Sequence, residues 1–414
     1  MVIALKIGTI SIVLASFFIL TVWAIGHNPE SLEEALVDDD VEKIASSNNE
    51  LGLEVLREVS GDGNTLISPV SLFMALSMVY NGSDGATKEE MGKVLHSAGI
   101  DAADLSKANA SLMSLLQQDS KKIQLHIANS IWLNQDFHFQ SDFAKNNKKH
   151  FHAEIQEIDI KNSKSVKKIN DWVEESTKGK IEDIVESPLD PDLAAILINA
   201  VYFKGNWKDA FDEKKTVKRT FQLANGTSKM VPLMALNKKL PYMENEEFQA
   251  VSLPYGDGKW SMNVFLPKEN SNLEEFQNRL TPENWEQWRT EFTLKEGTVL
   301  LPKFKLEYEV LLNEALKRLG MPTAFDGQHA NFSKMIMEPD QVWISKVKQK
   351  TYIEVNEKGT EAAAATSVEM KTEMAITDPP FFMEVNRPFF FAIMEEKTGT
   401  IAFMGLISDP SKAS

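Results

Sequence analysis

The sequence predicts an α+β domain built around large, mostly antiparallel sheets. Strand-like runs recur along the chain: "IQLHIANSIWL", "AAILINAVYF", "MNVFL", "TVLLPKF" and "FFFAIM", with the last third the richest in them. Helical periods with their own stop signals lie between the runs. No repeat, low-complexity tract or second linker divides the chain after its first 47 residues, so residues 48–412 read as one large domain.

The N-terminus stands apart from that domain. An uncharged run from Ile7 to Ala24 follows a single basic residue, Lys6. At about 1.5 Å per residue the run spans roughly 27 Å, close to a bilayer core. The chain beyond it is acidic, with Glu30, Glu33, Glu34, Asp38, Asp39 and Asp40. That asymmetry puts the start of the chain in the cytoplasm and the body outside. Val22 and Ala24 offer a small-residue pair at cleavage spacing. Residues 1–24 are therefore either a cleaved signal peptide or an uncleaved signal-anchor. Both readings export the protein, as a secreted or membrane-anchored molecule. Residues 25–47 show no clear period and read as an acidic linker.

Within the domain, "SKSVKKINDWVEESTKGK" puts Val166, Ile169, Trp172 and Val173 at helical spacing, with Ser165 as cap and Gly179 as stop. "YEVLLNEALKRLG" repeats the logic with Leu312, Leu316 and Leu319 on one face and Gly320 at the end. "YGDGKW" between two strand-like runs reads as a hairpin turn.

Composition excludes several functions. The chain has no cysteine, which removes disulfides, thiol nucleophiles, iron–sulfur clusters and thiolate zinc sites. A net charge of −16 argues against general affinity for nucleic acid or anionic lipid. The seven histidines are scattered, and His150 and His152 would lie on different faces of a helix. No HExxH, GxSxG, glycine-rich phosphate loop or EF-hand pattern occurs. Asn81, Asn109, Asn225 and Asn331 open N-x-S/T triplets, which matter only in a host that glycosylates exported proteins. An enzyme has no constellation of residues in its favour, and no metal or cofactor is expected.

Six segments in order resemble the serpin family. "NTLISPVSLFMALSMVYNGSDGAT" (64–87) resembles its early Ser-Pro-x-Ser helix start, and "INDWVEESTKGKI" (169–181) its helix across the main sheet. "LINAVYFKGNW" (197–207) resembles a central strand and the turn beyond it. "VNEKGTEAAAAT" (355–366) resembles the reactive-loop hinge, "VNRPFFFAI" (385–393) the C-terminal signature, and "AFMG" (402–405) the final strand. The resemblance implies about nine helices around three β-sheets, and an exposed reactive-centre loop able to insert into the central sheet. It also implies a monomer that traps a target serine protease as a covalent acyl complex.

The hinge residues carry that reading on their own chemistry. As a strand, "GTEAAAATSVEM" alternates faces. Thr360, Ala362, Ala364, Thr366 and Val368 form a small, uncharged face; Glu361, Ala363, Ala365, Ser367 and Glu369 form the other. The first face suits burial in a tight slot, and Gly359 before it can absorb a large backbone change. An exposed alanine-rich loop or short helix fits the same residues.

The resemblance further implies a polar cluster of Ser68, Ser71 and Asn199, where the sheet parts for the loop. Gln349 stands in that cluster where the family pattern has a histidine. Gln donates and accepts as neutral His does, but does not titrate near neutral pH. Glu357 is expected close to Lys303 and Trp207, closing the top of the sheet. Family spacing from Glu357 puts the reactive bond at Glu373–Met374, with Met374–Ala375 as the next candidate. The function implied is a suicide-substrate inhibitor of serine proteases; the alternative is a non-inhibitory serpin acting as a carrier or chaperone-like binding protein.

Overall fold

The computed structural model describes residues 39–117, 122–338, 342–360 and 379–412. The apolar run of residues 7–24, the remainder of the hinge from Glu361 to Thr366, and the reactive-bond candidates Glu373, Met374 and Ala375 lie outside the described residues.

Nine α-helices and fifteen strands are found among the described residues. The helices are α1 (Asp39–Val59), α2 (Pro69–Tyr80), α3 (Gly85–Val94), α4 (Ala102–Leu116), α5 (Ser141–Phe151), α6 (Ser163–Ser176), α7 (Leu273–Arg279), α8 (Pro282–Glu291) and α9 (Asn313–Leu319). The strands are β1 (Thr65–Ile67), β2 (Ile123–Asn134), β3 (Glu154–Ile158), β4 (Ala195–Asn206), β5 (Val217–Gln222), β6 (Ser228–Glu244), β7 (Phe248–Tyr255) and β8 (Trp260–Pro267). They continue with β9 (Thr293–Pro302), β10 (Phe304–Leu311), β11 (Ile344–Asn356), β12 (Gly359–Thr360), β13 (Phe381–Glu384), β14 (Phe389–Glu395) and β15 (Ile401–Ile407).

The helix count agrees with expectation, and two of the three expected sheets are fused. One hydrogen-bonded sheet runs β10-β11-β12-β4-β2-β3. The other runs β1-β15-β14-β8-β7-β6-β9-β13, with β5 added on β6. The long β6 joins its two parts: it pairs with β5 and β9 through most of its length and with β7 only through Tyr242–Glu244. Most pairings are antiparallel; β4–β11, β2–β3 and β9–β13 are parallel.

α2 is buried on every side, as a helix apolar all round must be. It lies between the sheets and touches β2 and β4 of one and β15 of the other. A second, smaller core sits on the opposite face of the six-stranded sheet. There Ile169 and Val173 of α6 pack on Ala128, Trp132, Ile196, Ile198, Tyr202 and Tyr352. α6 therefore lies across the sheet, as expected. Its cap is Asn162, whose side chain accepts from Lys164 N at 3.0 Å. Ser165, expected as cap, already lies within the first turn and donates to Asp159 O at 2.7 Å.

The expected linker is also too long. Helix α1 begins at Asp39, so residues 39–47 belong to the folded body. Asp39, Asp40 and Glu42 occupy the first turn, where negative charge suits the helix dipole. Val41, Ile44 and Ala45 are buried. The polar "SSNN" that masks the period is itself buried. Asn48 donates to Ile401 O at 3.2 Å, and Asn49 donates to Gly399 O at 2.8 Å and accepts from Ile401 N at 2.9 Å.

The "YGDGKW" turn joins β7 to β8, with Gly256 and Gly258 at φ of +54° and +96°. The largest core is aromatic along β14 of the second sheet: the Phe390 ring packs near Phe265, Phe276 and Trp285. Phe390→Ala is expected to lower unfolding stability by about 3–5 kcal/mol, measured by urea titration.

Candidate functional site

The site is a seam between two strands. β4 and β11 run parallel and pair directly, from Ala195 opposite Ile344 to Tyr202 opposite Tyr352. At the upper end the strands part, and β12 lies between them. Thr360 pairs with Val355 of β11 and with Gly205 of β4, antiparallel to both. Thr360, the first residue of the hinge's small face, is already inside the sheet. It is fully buried, and its hydroxyl bonds the Tyr255 hydroxyl at 2.7 Å. Burial pushes the Tyr255 phenol well above its usual range, against the lowering effect of that bond.

Gly359 makes this entry possible. Its φ is +149°, and a Cβ there would lie 2.0 Å from Gly205 O. No other residue fits so close to the neighbouring backbone.

Below β12 the seam crosses a row of amides. Asn129 of β2 lies opposite Asn199 of β4, which lies opposite Gln349 of β11. Ser68 and Ser71, at the start of α2, approach from behind. The Gln349 amide donates to Ser68 O at 3.0 Å and to Asn199 Oδ1, while its Oε1 accepts from Ser68 N at 2.9 Å. Asn199 Nδ2 donates to Ser71 Oγ and to Asn129 Oδ1. The Ser68 hydroxyl does not cap α2; it donates to Ala402 O of β15 at 2.7 Å. The four residues expected together, Ser68, Ser71, Asn199 and Gln349, are thus one buried network. Asn129 is a fifth member that sequence reasoning missed. Its signal is an Asn breaking the apolar "IANSIWL" in phase with Asn199 in "LINAVYF". Asn129 Nδ2 has no hydrogen-bond partner among the described residues.

The top of the seam is held by a second cluster. Lys303 pairs with Glu357 at 2.8 Å, and Thr216 Oγ1 donates to the same carboxylate at 2.7 Å. Trp207 Nε1 donates to Asn356 O at 2.9 Å, and its backbone N–H to Lys358 O at 3.0 Å. Its ring stacks on Tyr255 with centroids 4.3 Å apart. Lys303 therefore meets Glu357 as expected, and Trp207 bonds the residues on either side of it; Tyr255, read only as part of the hairpin turn, is the member the sequence hid. Burial pushes the Glu357 carboxyl up, but the hydrogen bonds from Lys303 and Thr216 outweigh it and hold the group below its usual range.

The outer face of the seam is bridged. Lys348 of β11 donates to Ile184 O and Lys350 to Asp183 O, each at 2.6 Å. The same ammonium groups pair with Glu309 and Glu307 of β10. Asn170 of α6 holds that segment too, accepting from Ile184 N and Val185 N at 3.1 Å. Helix α6 rests on the β2 and β4 side, so helix and segment together straddle β4 and β11.

The serpin family model, described as serine protease inhibitor, matches residues 46–410. This chain belongs to the serpin family. A serpin-like protein of Thermococcus kodakarensis is 34% identical over 387 residues, covering 92% of this chain and 89% of its own. Human serpin B8 is 35% identical over 364 residues, covering 86% of this chain and 96% of its own. The native-state structure of the thermophilic serpin tengpin superposes with a TM-score of 0.81 at 32% identity, over 90% of this chain and 95% of that one. Serpins are in general protease inhibitors rather than catalysts, and the fold found here is the serpin fold.

Two measurements test the clusters. Gln349→Leu in this serpin leaves Ser68 N–H and Asn199 Oδ1 without their partner, and is expected to cost about 3 kcal/mol in urea unfolding. The lowered Glu357 pKa contributes stability that is present above the ordinary value of 4.5 and lost as pH falls through the folded value. The gap in thermal midpoint between wild type and Glu357→Gln is therefore expected to close on acidification below that value.

Proposed function

We propose that this serpin inhibits serine proteases as a suicide substrate, by inserting its cleaved loop between β4 and β11. The observation that carries the reading is the register of β12. Thr360 lies between Gly205 and Val355, antiparallel to both. Continued in that register, Ala362 comes between Phe203 and Ile353, and Ala364 between Val201 and Thr351. Thr366 comes between Asn199 and Gln349. The second threonine of the burying face thus meets the polar row of the seam, and Val368 follows between Leu197 and Val347. On the outer face Glu361 comes between Lys204 and Glu354, and Glu369 beside Lys346. Ala363 falls between Tyr202 and Tyr352, where a larger residue would collide with one ring or the other.

Length fits as well. Strand β4 has 12 residues and β11 has 13. At about 3.3 Å per residue the slot is roughly 40 Å long, and Thr360–Glu373 spans roughly 45 Å. Met370 reaches Ala195 at the lower end, and Lys371–Glu373 pass beyond it. The protease serine attacks the Glu373 carbonyl, and the bond to Met374 N breaks. The ester then travels with the inserting strand to the far end of the sheet. Insertion exchanges one parallel ladder for two antiparallel ones, so the cleaved state is the more stable. Hydrolysis of the displaced ester is slow, and the complex is a kinetic trap. The inhibitor acts as a monomer and needs no cofactor. The serpin family has members inside and outside cells; export of this chain rests on residues 1–24.

Incubation with a panel of serine proteases is expected to give an SDS-stable covalent complex with at least one. Loop cleavage without any complex sinks the inhibitory reading and favours the binding-protein alternative. Thr360→Arg cannot occupy the pocket against Tyr255, and is expected to turn the inhibitor into a substrate. Cleavage between residues 360 and 373 is expected to raise the thermal midpoint markedly, and an unchanged midpoint counts against insertion.

A further inference from the structure

A histidine far from the seam sits between two carboxylates. His96 follows α3 in the turn that leads to α4, with a left-handed φ of +48°. Its Nε2 lies 3.0 Å from Glu54 Oε2 and its Nδ1 lies 3.4 Å from Glu50 Oε1. Glu50 and Glu54 are one helical turn apart on α1 and so share a face. The turn is tied to the same helix a second time, by Ser47 Oγ donating to His96 O at 3.1 Å.

We propose that His96 is a proton-operated clamp fastening α1 to the turn between α3 and α4. Nε2 hydrogen-bonds Glu54 while Nδ1 faces Glu50 at ion-pair distance, so both carboxylates are engaged at once only when both nitrogens carry hydrogen, which is the imidazolium. Glu54 and Glu50 are the charged groups acting on the ring. The charged residues flanking it in sequence, Lys93 on α3 and Asp101 at the start of α4, are exposed. The hydrogen bond to Glu54 raises the His96 pKa and burial lowers it, with a net rise above 6.5. A raised folded pKa gives stability that is complete below the unfolded value and lost as pH climbs through the folded one. The clamp therefore holds in mild acid and opens toward alkaline pH. What it holds extends past the turn: Asn48 and Asn49, beside Glu50 on α1, bond Gly399 and Ile401 at the head of β15.

The test is unfolding of the full chain across about pH 5.5 to 8.5, wild type against His96→Asn. Asn tolerates the left-handed backbone and carries no charge. The wild-type midpoint is expected to exceed the variant's by about 1–3 °C in mild acid, with the gap closing as pH rises. The double variant Glu50→Gln, Glu54→Gln should lose the same pH dependence with the imidazole intact. NMR titration of the wild type gives an independent reading, with His96 expected to titrate above 6.5. A gap that stays constant or widens with pH, or a His96 that titrates at or below that value, overturns the clamp.

Discussion

Two parallel strands that pair directly below the short β12 set the terms for the rest of this molecule. β4 and β11 are far apart in sequence yet share one ladder, and parallel pairing is slightly weaker per residue than antiparallel. A strand running against both would convert that single ladder into two. Helix α2 supports the seam from behind, and α6 with its trailing segment covers it in front. The Trp207–Tyr255 stack and the Lys303–Glu357 pair occupy its upper end. Each of these contacts holds the closed sheet without filling the space a further strand would take. With no cysteine in the chain, no covalent staple limits how far the two strands can separate.

The division of labour along the seam follows from residue size and polarity. Above the amide row, apolar and aromatic side chains close the inner face. At the row itself, a cluster of buried hydrogen bonds fixes the register of three strands at once, because each amide must meet its partner to offset desolvation. A slip of one residue would point all three amides to the wrong face. The row therefore acts as a register mark for β2, β4 and β11.

Much of this was legible in the chain, for physical reasons. Strands announced themselves through continuous apolar runs, and the β7–β8 hairpin through two glycines whose φ is positive. The hinge was legible because two-residue alternation separates its small face from its acidic one. The family's segments then brought together Ser68, Ser71, Asn199 and Gln349, which no local pattern could. Other features were hidden. The start of α1 was obscured because Asn48 and Asn49 are polar yet buried, bonded to a strand some 350 residues away. Ser165 looked like a cap because it precedes the apolar period, but Asn162 lies at the true entry. Asn129 and Tyr255 matter only through partners brought by tertiary folding, so single-strand reasoning had no means to select them.

The amide row also has an odd number of obligations. Asn199 spends its amide hydrogens on Ser71 and on the Asn129 carbonyl, and Gln349 spends its own on Ser68 and Asn199. Asn129 accepts without donating, and its buried N–H groups find nothing to bond among the described residues. A buried donor left this way costs about 1–3 kcal/mol. The closed sheet thus carries one unmet donor group at its centre, which a single added hydroxyl oxygen would satisfy.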